Sequence, residues 1–242
     1  MQRYFVSEYA PTIELSKEDS HHLLNVMRAK IGTQVIVVAG NQPYLATLVD
    51  TQTAILALTE PFAQESELPV QVTIACGLSK NDKIETIVQK ATECGMNAFI
   101  PVVMQRDVVK WDAKKATQRT ERLAKIAKEA AEQSHRVAVP HIHDLHAFKQ
   151  LLSAAQDYDV KLVAYEETAK QGRHSTFKES ILQLKHGQRV LMVFGSEGGL
   201  TATEVEQLEQ HGFQCCSLGP RILRAETAPI YALSALSYAL EL

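Results

Sequence analysis

Hydrophobic and polar positions follow two different patterns along the chain. Up to about residue 60, short apolar runs are separated by turn residues such as Gly40-Asn41, which is typical of a β-meander. One helix interrupts the meander, because Ser16 and Asp19 stand at the N-cap and capping-box positions ahead of a short apolar stripe. We therefore predict a small β-barrel with one helix. Its predicted strands are Arg3–Val6, 12–15, 34–38, 44–49 and 53–58.

From Val70 onwards, strand-like and helix-like segments alternate, which is typical of a mostly parallel sheet covered by helices. The predicted strands are 70–75, Ala98–Val103, 160–165, 190–194 and 213–218. The predicted helices are 83–94, 113–135, one near 145–155, one opened by the capping box Thr201-Ala202-Thr203-Glu204, and one from about Thr227 to the end. Segment 61–69 is polar and bounded by prolines, so we predict two domains, 1–68 and 69–242.

Two of the predicted strands end in glycine-bearing loops that suit a ligand. Strand 190–194 is followed by G-S-E-G-G at 195–199, and strand 213–218 by G-P-R at 219–221. Glycines let a ligand approach bare backbone amides. The first loop lacks the lysine and hydroxyl residue of a P-loop and the G-x-G-x-x-G form of a dinucleotide site. A glycine loop facing an apolar, proline-stiffened loop instead suits a flat heterocycle such as adenine.

Composition adds few constraints. The 242-residue chain carries a net charge of −3, which argues against indiscriminate polyanion binding. Four cysteines without disulfide or metal spacing indicate a reduced, cytoplasmic setting, and no apolar run is long enough for a membrane span or signal peptide. His141, His143 and His146 do not match a zinc spacing, so we predict a turn of exposed histidines and no metal site.

One segment carries a net positive charge, although the chain as a whole is acidic. Residues 106–136 hold nine basic and five acidic residues, a local balance of +4. Such an asymmetry favours a surface that faces phosphates. The alternative is a solvated helix laced with ion pairs between residues four apart, such as Glu121 with Lys125.

The C-terminal motifs resemble those of a known family. G-S-E-G-G-L-T-x-x-E at 195–204 and L-G-P-R-I-L-R-A-E-T-A at 218–228 are similar to the two C-terminal motifs of the RsmE family. H-L-L-x-V-x-R at 22–28, Q-K-A-T-E-x-G at 89–95 and E-A-x-x-Q-S-x-R at 129–136 resemble its other motifs, so the resemblance covers nearly the whole chain. Ser196 stands where the family loop usually has proline, which we expect to loosen the loop or to tune cofactor affinity.

The resemblance implies a fold and an activity. The fold would be an N-terminal PUA-like β-barrel followed by a C-terminal α/β SPOUT domain with a deep trefoil knot. The activity would be S-adenosylmethionine-dependent methylation of N3 of a uridine in 16S ribosomal RNA, by a homodimer without a metal. Two alternatives remain open, a ribose 2′-O-methyltransferase of the same superfamily and a noncatalytic RNA-binding factor of ribosome assembly.

The resemblance, with the chemistry of uracil, also nominates site residues. Arg136 and Arg224 are candidates for RNA phosphate or the developing anion, and Glu197 or Glu226 for the base; Glu226 could instead be an N-terminal partner of the last helix. The predicted cofactor-binding residues are Ala164, Tyr165, Glu166, Phe194, Gly195, Ser196, Glu197, Gly198, Leu218, Gly219, Ile222, Leu223, Arg224, Thr227 and Ala228. The predicted RNA-binding residues are Arg3, His21, His22, Arg28, Lys30, Lys80, Arg106, Arg122 and Arg136.

Overall fold

The computed structural model describes residues 1–165 and 175–242. The chain forms two compact units that are described separately below. Unit 1 comprises Met1–Glu67 together with Ala131–Val139, and unit 2 comprises Leu68–Ala130 together with Pro140–Leu242. Residues 166–174 lie outside the described part of the chain.

Unit 1 contains a curled five-stranded sheet with the order β1-β3-β4-β5-β2. Only the β1–β3 pair is parallel among these strands. Register shifts between β4 and β5 mark bulges, which bend a sheet and increase its twist. Inward-facing apolar residues such as Tyr4, Val37 and Leu48 form the core. The strands are β1 (Arg3–Val6), β2 (Thr12–Glu14), β3 (Gln34–Ala39), β4 (Gln42–Asp50) and β5 (Ile55–Pro61).

Turn chemistry explains where these elements begin and end. Gly40 and Asn41 both have positive φ, 57° and 64°, which is the type I′ turn that joins β3 to β4. Ala54 also has positive φ, 53°, so β5 begins at Ile55 rather than at the predicted residue 53. Ser16 caps helix α1 (Lys17–His21) by accepting from the Asp19 amide, and one π-helical turn, His22–Val26, follows it.

Unit 2 is built around a parallel sheet with the order β12-β10-β11-β6-β7-β8, in which the short β9 also pairs with β7. The strands are β6 (Gln71–Gly77), β7 (Ala98–Val103), β8 (His141–Ile142), β9 (His146–Ala147), β10 (Val160–Ala164), β11 (Arg189–Phe194) and β12 (Gln214–Cys216). The described helices are α2 (Lys83–Glu93), α3 (Ala113–Gln133), α4 (Phe148–Ala154), α5 (Ser175–Leu182), α6 (Ala202–Gln210) and α7 (Thr227–Glu241).

The apolar runs of the central strands are buried on both faces of this sheet. Val190, Met192 and Phe194 join the core formed with α2, α3, α5 and α7. Leu191 and Val193 join the opposite core, formed with α4 and α6. Covering both faces with helices is what a parallel sheet requires, and it confirms the predicted α/β architecture of this part of the chain.

The histidine segment differs from its prediction. His146 and Ala147 pair with Val102 and Val103 as strand β9, so the helix predicted near 145–155 begins only at Phe148. His143 is half-buried, with its ring centroid 4.4 Å from that of His141 and 5.8 Å from that of His146. Burial and its two neighbours lower the pKa of His143 to about 4. The predicted turn of exposed histidines is therefore wrong, because two short strands draw the segment onto β7.

The described residues contain neither a cluster of metal-ligating side chains nor a membrane-spanning helix. Among residues 1–165 and 175–242, no group of three or more His, Cys, Asp or Glu side chains is placed to hold a metal ion. Within the same residues, no helix has the length and apolar character needed to cross a membrane.

Helix α6 begins with a complete capping box. The Thr201 hydroxyl accepts from the Glu204 amide at 3.2 Å, and Glu204 Oε2 accepts from the Thr201 amide at 2.8 Å. Glu204 Oε1 also accepts from the Gln105 amide at 2.8 Å, in the loop after β7. Because Glu204 is only 1% exposed, its carboxylate accepts hydrogen bonds from backbone amides that water cannot reach.

We expect Glu204→Ala to lower the free energy of unfolding by roughly 2 kcal/mol, because it removes a helix cap and leaves buried amides without acceptors. The matched control is Glu206→Ala, the same change at an exposed position of α6, with an expected effect within about 0.5 kcal/mol. Urea unfolding of both variants measures the difference. Equal midpoints would contradict the structural role of Glu204.

Candidate functional site

Unit 2 contains a cavity of about 900 Å³ at the carboxyl ends of three neighbouring strands. Strand β10 pairs in parallel with β11 on one side and with β12 on the other. The loops that leave β11 and β12 therefore flank the end of β10. The described residues that line the cavity are Lys83, Arg106, Ala164, Tyr165, residues 194–200, residues 216–225 and Ala228.

Most of the predicted cofactor-binding residues come together here. The predicted residues among the lining are Ala164, Tyr165, Phe194, Gly195, Ser196, Glu197, Gly198, Leu218, Gly219, Ile222, Leu223, Arg224 and Ala228. Thr227 is not a lining residue; its amide donates to the Arg224 carbonyl at 2.9 Å. Glu166 lies outside the described residues. Lys83 was not predicted as a site residue, yet it lines the cavity.

The glycine loop is packed too tightly for side chains at two positions. A Cβ on Gly195 would lie 2.8 Å from the Gly199 carbonyl carbon, and one on Gly198 would lie 2.7 Å from the Arg106 carbonyl oxygen. The Gly199 amide donates to the Ser196 carbonyl at 2.9 Å and closes the turn. These glycines are therefore needed for the packing of the loop as well as for ligand access.

Arg106 forms a hydrogen bond to the same loop. Its Nη1 donates to the Gly198 carbonyl at 3.2 Å, and the residue lines the cavity. The segment that carries it follows β7, so the ends of β7 and β11 are tied together. Arg106 was predicted to bind RNA; in the structure its guanidinium bonds the glycine loop.

Ser196, the departure from the family loop, is buried rather than exposed. The residue is 6% exposed, and its hydroxyl oxygen is buried without a hydrogen-bond partner among the described residues, as is Asp107 Oδ1. Asp107 Oδ2 accepts from the amides of Met104 at 2.8 Å and Leu78 at 3.1 Å. Burial raises the pKa of Asp107 although these hydrogen bonds oppose the shift. The burial of Ser196, and the hydrogen bond that its carbonyl accepts from the Gly199 amide, favour a tuned loop over a loosened one.

The two candidate bases share one cation. Lys83 Nζ lies 3.1 Å from Glu197 Oε1 and 3.3 Å from Glu226 Oε2. The Lys80 amide also donates to Glu197 Oε1 at 3.1 Å. All three charged side chains are about one fifth to one third exposed. These three side chains carry a net charge of −1, whereas Arg106, Arg221 and Arg224 add positive charge elsewhere on the lining of the cavity.

These contacts set the protonation of Glu197. Partial burial alone would raise its pKa, but hydrogen bonds from its own amide, from Lys83 and from Lys80 outweigh burial, and the net pKa is lowered. In return, the hydrogen bond to Glu197 raises the pKa of Lys83, a shift opposed by partial desolvation and supported by Glu226. Glu226 is the N-cap of α7, yet its side chain makes no capping hydrogen bond. The alternative role of Glu226 as an N-terminal partner of this helix would therefore rest on its charge and not on a capping hydrogen bond.

The loop after β12 combines apolar and cationic side chains. Leu218 and Ile222 line the cavity, and Ile222 is 75% exposed. Arg224 also lines the cavity and is exposed. A flat heterocycle could lie against the aliphatic side chains while Arg224 faces a negative group.

The predicted RNA-binding residues of unit 2 lie near this region. Lys80 is exposed, and its amide bonds Glu197 as described above. Arg122 lies on α3 with its side chain 61% exposed, and its Nη2 donates to Glu85 Oε2 at 2.7 Å. Both remain accessible to a polyanion.

The predicted residues of unit 1 fall into two groups. His21, Arg28 and Lys30 are exposed, whereas His22 is half-buried and its Nδ1 lies 3.1 Å from the Tyr4 hydroxyl oxygen. Arg28 has φ of 53° and ends the π-helical turn. The exposed members of this group can contact a phosphate backbone.

Arg3 and Arg136 form the second group, and neither guanidinium is exposed. Arg3 is 1% and Arg136 is 2% exposed. Arg3 Nη1 donates to the Arg136 carbonyl at 2.6 Å, and Arg136 forms an ion pair with Glu67 through Nε and Nη2. Glu67 Oε1 accepts from the Val137 amide at 3.0 Å. A buried charge must be paired, so these arginines hold unit 1 together. The geometry does not support direct contact of Arg136 with RNA or with a reacting anion.

We expect Lys83→Met to raise the pKa of Glu197, since a cation that stabilises the carboxylate is lost. A carboxyl with a lowered folded pKa stabilises the protein above its unfolded pKa, and this contribution is lost as pH falls through the folded pKa. The variant should therefore lose less stability on acidification. Carboxyl carbon NMR titration over about pH 3 to 7 measures the shift.

Lys90→Met serves as the matched control for this titration. Lys90 lies on the same helix and pairs with the exposed Glu93 at 2.9 Å. The Glu197 titration should be unchanged in this variant, and Glu197→Gln identifies the signal. An unshifted Glu197 in Lys83→Met would show that Lys83 does not set its protonation.

Comparison with known proteins adds independent information. The models of two families, RNA methyltransferase domain and RNA methyltransferase PUA domain, match residues 66–237 and 15–57. Ribosomal RNA small subunit methyltransferase E of Bacillus subtilis is 49% identical, covering 100% of this chain and 98% of that protein. The protein of the same name from Synechocystis is 32% identical over 95% of this chain and 74% of its own length.

A solved structure agrees with the sequence relatives. The crystal structure of a ribosomal RNA small subunit methyltransferase E from Neisseria gonorrhoeae, bound to S-adenosyl methionine, superposes with a TM-score of 0.85 at 27% identity. The match covers 98% of this chain and 97% of the other. With the matched family models and the identity to the Bacillus subtilis protein, it follows that the chain belongs to the ribosomal RNA small subunit methyltransferase E family.

Proposed function

We propose that this protein transfers a methyl group from S-adenosylmethionine to N3 of a uridine in the 16S ribosomal RNA of the small subunit. The observation that carries the proposal is the cavity at the ends of β10, β11 and β12, which contains most residues of the two family motifs. The relatives named above and the cofactor bound in the Neisseria structure support it.

The cavity residues fit the cofactor. When bound, S-adenosylmethionine supplies an electrophilic methyl group on a positively charged sulfur. The packed glycine loop exposes backbone groups for adenine, and Leu218 and Ile222 provide its apolar contacts. Glu197 and Glu226 share a single Lys83, so this cluster carries a local negative charge that would attract the positive groups of the ligand. The lining arginines, Arg106, Arg221 and Arg224, would face its carboxylate or the RNA.

Arg224 is our candidate for stabilising the reacting base. Uracil N3 becomes nucleophilic as its proton leaves; it then forms a bond to the methyl carbon while the carbon–sulfur bond breaks and its electron pair stays on sulfur. The negative charge that develops on O2, N3 and O4 needs a cationic donor. Arg224 lines the cavity and is exposed, so it can reach a base that enters from solvent.

Glu226 is favoured over Glu197 as the proton acceptor. Glu197 is engaged by Lys83 and by the Lys80 amide, and its lowered pKa makes it the weaker base. Among the described residues, Glu226 has Lys83 as its ion-pair partner, at 3.3 Å. Glu197 would then orient Lys83 and attract the cofactor.

RNA would be held by exposed cations of both units. We assign His21, Arg28 and Lys30 of unit 1 and Lys80 and Arg122 of unit 2 to phosphate contacts. The assignment of residues 1–68 as the RNA-binding domain and 69–242 as the catalytic domain, and the knot around the cofactor cavity, remain predictions from the family.

The proposed homodimer and cytoplasmic setting are supported by the surface of α7 and by the substrate. Tyr231 is 42% and Tyr238 73% exposed on this helix, and Leu242 at its end is 96% exposed. Apolar residues repeated along an exposed helix favour contact with a second copy. A ribosomal RNA substrate supports a cytoplasmic setting.

Nucleoside mass spectrometry of small-subunit RNA treated with enzyme and S-adenosylmethionine tests the proposed function. We expect 3-methyluridine in the digest. A methyl group on ribose without a methyl on the uracil ring would indicate the 2′-O-methyltransferase instead. Absence of both products, together with no heat of S-adenosylmethionine binding in calorimetry, would leave a noncatalytic RNA-binding protein.

We expect Arg224→Ala to reduce turnover at saturating cofactor and RNA by roughly 100-fold, the usual loss when one donor to a developing anion is removed. Arg189→Ala, the same change at the opposite end of β11 and outside the cavity, controls for the loss of a positive charge. Its effect on turnover should be much smaller. Unchanged turnover in Arg224→Ala would exclude the residue from the chemical step.

A further inference from the structure

A second, smaller cavity lies in unit 2, with a volume of about 190 Å³. Its apolar lining consists of Ile84, Val109, Trp111 and Leu123. The volume is below the range of about 300–1,000 Å³ that is typical of sites for whole small-molecule ligands. The cavity therefore suits a single ring system rather than a complete nucleotide or cofactor.

Trp111 gives this cavity its chemical character. It is the single tryptophan of the chain, half-buried, and also packs against the core under α2 and α3. An aromatic side chain beside aliphatic ones forms a surface on which a nucleobase stacks, whatever the identity of the base. Ser79 and Asn81 line the same cavity and add polar groups for a base edge.

The rim of the cavity carries positive charge that the protein does not neutralise. Lys80, Lys115 and Arg119 line the cavity. Arg119 is paired with Glu85, Nη1 to Oε1 at 2.9 Å. Within the described part of the chain, the ammonium groups of Lys80 and Lys115 have no ion-pair or hydrogen-bond partner, and both residues are exposed. Free cations around an aromatic cavity favour the phosphate of a nucleotide.

The small cavity shares a wall with the large one. Helix α2 contributes Lys83 to the large cavity and Ile84 and Glu85 to the small one. Lys80 lines the small cavity, while its amide donates to Glu197, which lines the large cavity. Two nucleotides joined by one RNA backbone could thus occupy the two cavities together.

We propose that the small cavity binds the base of a nucleotide adjacent to the methylated uridine in single-stranded RNA. Trp111 and Ile84 contact the base, and Lys80 and Lys115 contact its phosphate. The identification of the ligand as RNA rests on the proposed function. A base held in this cavity positions its neighbour at the large cavity, so the site contributes to the selection of an unpaired target.

Fluorescence of Trp111 tests the proposal directly, because no other tryptophan contributes to the signal. Titration of the full chain with a short oligouridylate should give saturable quenching that weakens as salt increases. An abasic ribose-phosphate oligomer of equal length carries the same charge without bases and should leave the fluorescence unchanged. Equal quenching by both oligomers would overturn the proposal that a base enters the cavity.

A pair of charge reversals tests the contribution of the rim. Lys115→Glu should weaken oligouridylate binding about tenfold and raise the KM for RNA, with kcat unchanged. Lys114→Glu, the same change at an exposed neighbour that does not line the cavity, should alter the affinity less than about twofold. Equal effects of the two variants would show that only the general charge of α3 matters, and would overturn the site.

The outcomes separate this site from the proposed function. If the protein methylates no RNA but Trp111 fluorescence is quenched by oligouridylate and not by the abasic oligomer, the proposed function fails and the base site stands. If uridine monophosphate quenches as strongly as the oligomer at equal concentration, the cavity binds free nucleotides, and the RNA assignment is wrong. Normal methylation without quenching would exclude the base site alone.

Discussion

The parallel pairing of β10 with both β11 and β12 is the constraint on which the candidate site depends. The chain visits these strands in an order that places β10 between two strands that come later. Their carboxyl ends consequently lie side by side, and the glycine loop at 195–199 meets the loop at 217–226 across the end of β10. Strand β11 is buried on both faces and pairs in parallel register with β10 and β6. A shift by one residue would exchange the two buried faces.

A second level of organisation is electrostatic. Lys83, on α2, forms ion pairs with two carboxylates, Glu197 in the loop after β11 and Glu226 in the loop after β12. The same segment of chain, 79–85, separates the large cavity from the small one. Cofactor contacts and the proposed contacts to a neighbouring nucleotide are therefore carried by one short stretch, so the position of α2 affects both. Asp107 Oδ2 accepts from the amides of Leu78 and Met104, directly after β6 and β7, and thereby stiffens that arrangement.

The sequence was sufficient for ten of the twelve described strands, the capping box at Thr201 and the two loops, because these depend on local turn chemistry and on apolar runs. It could not reveal Lys83 as a site residue, since its partner Glu197 is 114 positions away and only tertiary packing brings them together. For Arg3 and Arg136, the sequence predicted exposed site residues, whereas the structure buries both. An arginine in a sequence is ordinarily exposed, and nothing local indicates that Glu67 would neutralise one of them in the interior. The prediction for the histidine segment was wrong for a similar reason, because its pairing with β7 joins residues that are distant in the sequence.

The bond between Glu67 and Arg136 has a consequence for how this protein can be divided. Unit 1 is discontinuous: its sheet comes from the first 67 residues, whereas Arg136 and the amides that bind Glu67 come from residues 131–139. A fragment that stops at the predicted boundary at residue 68 would keep the sheet but lose the segment that holds Glu67 and Arg3. The linear order of domains in the sequence is therefore not a guide to which pieces fold independently, and the end of α3 must accompany the N-terminal sheet in any fragment meant to preserve it.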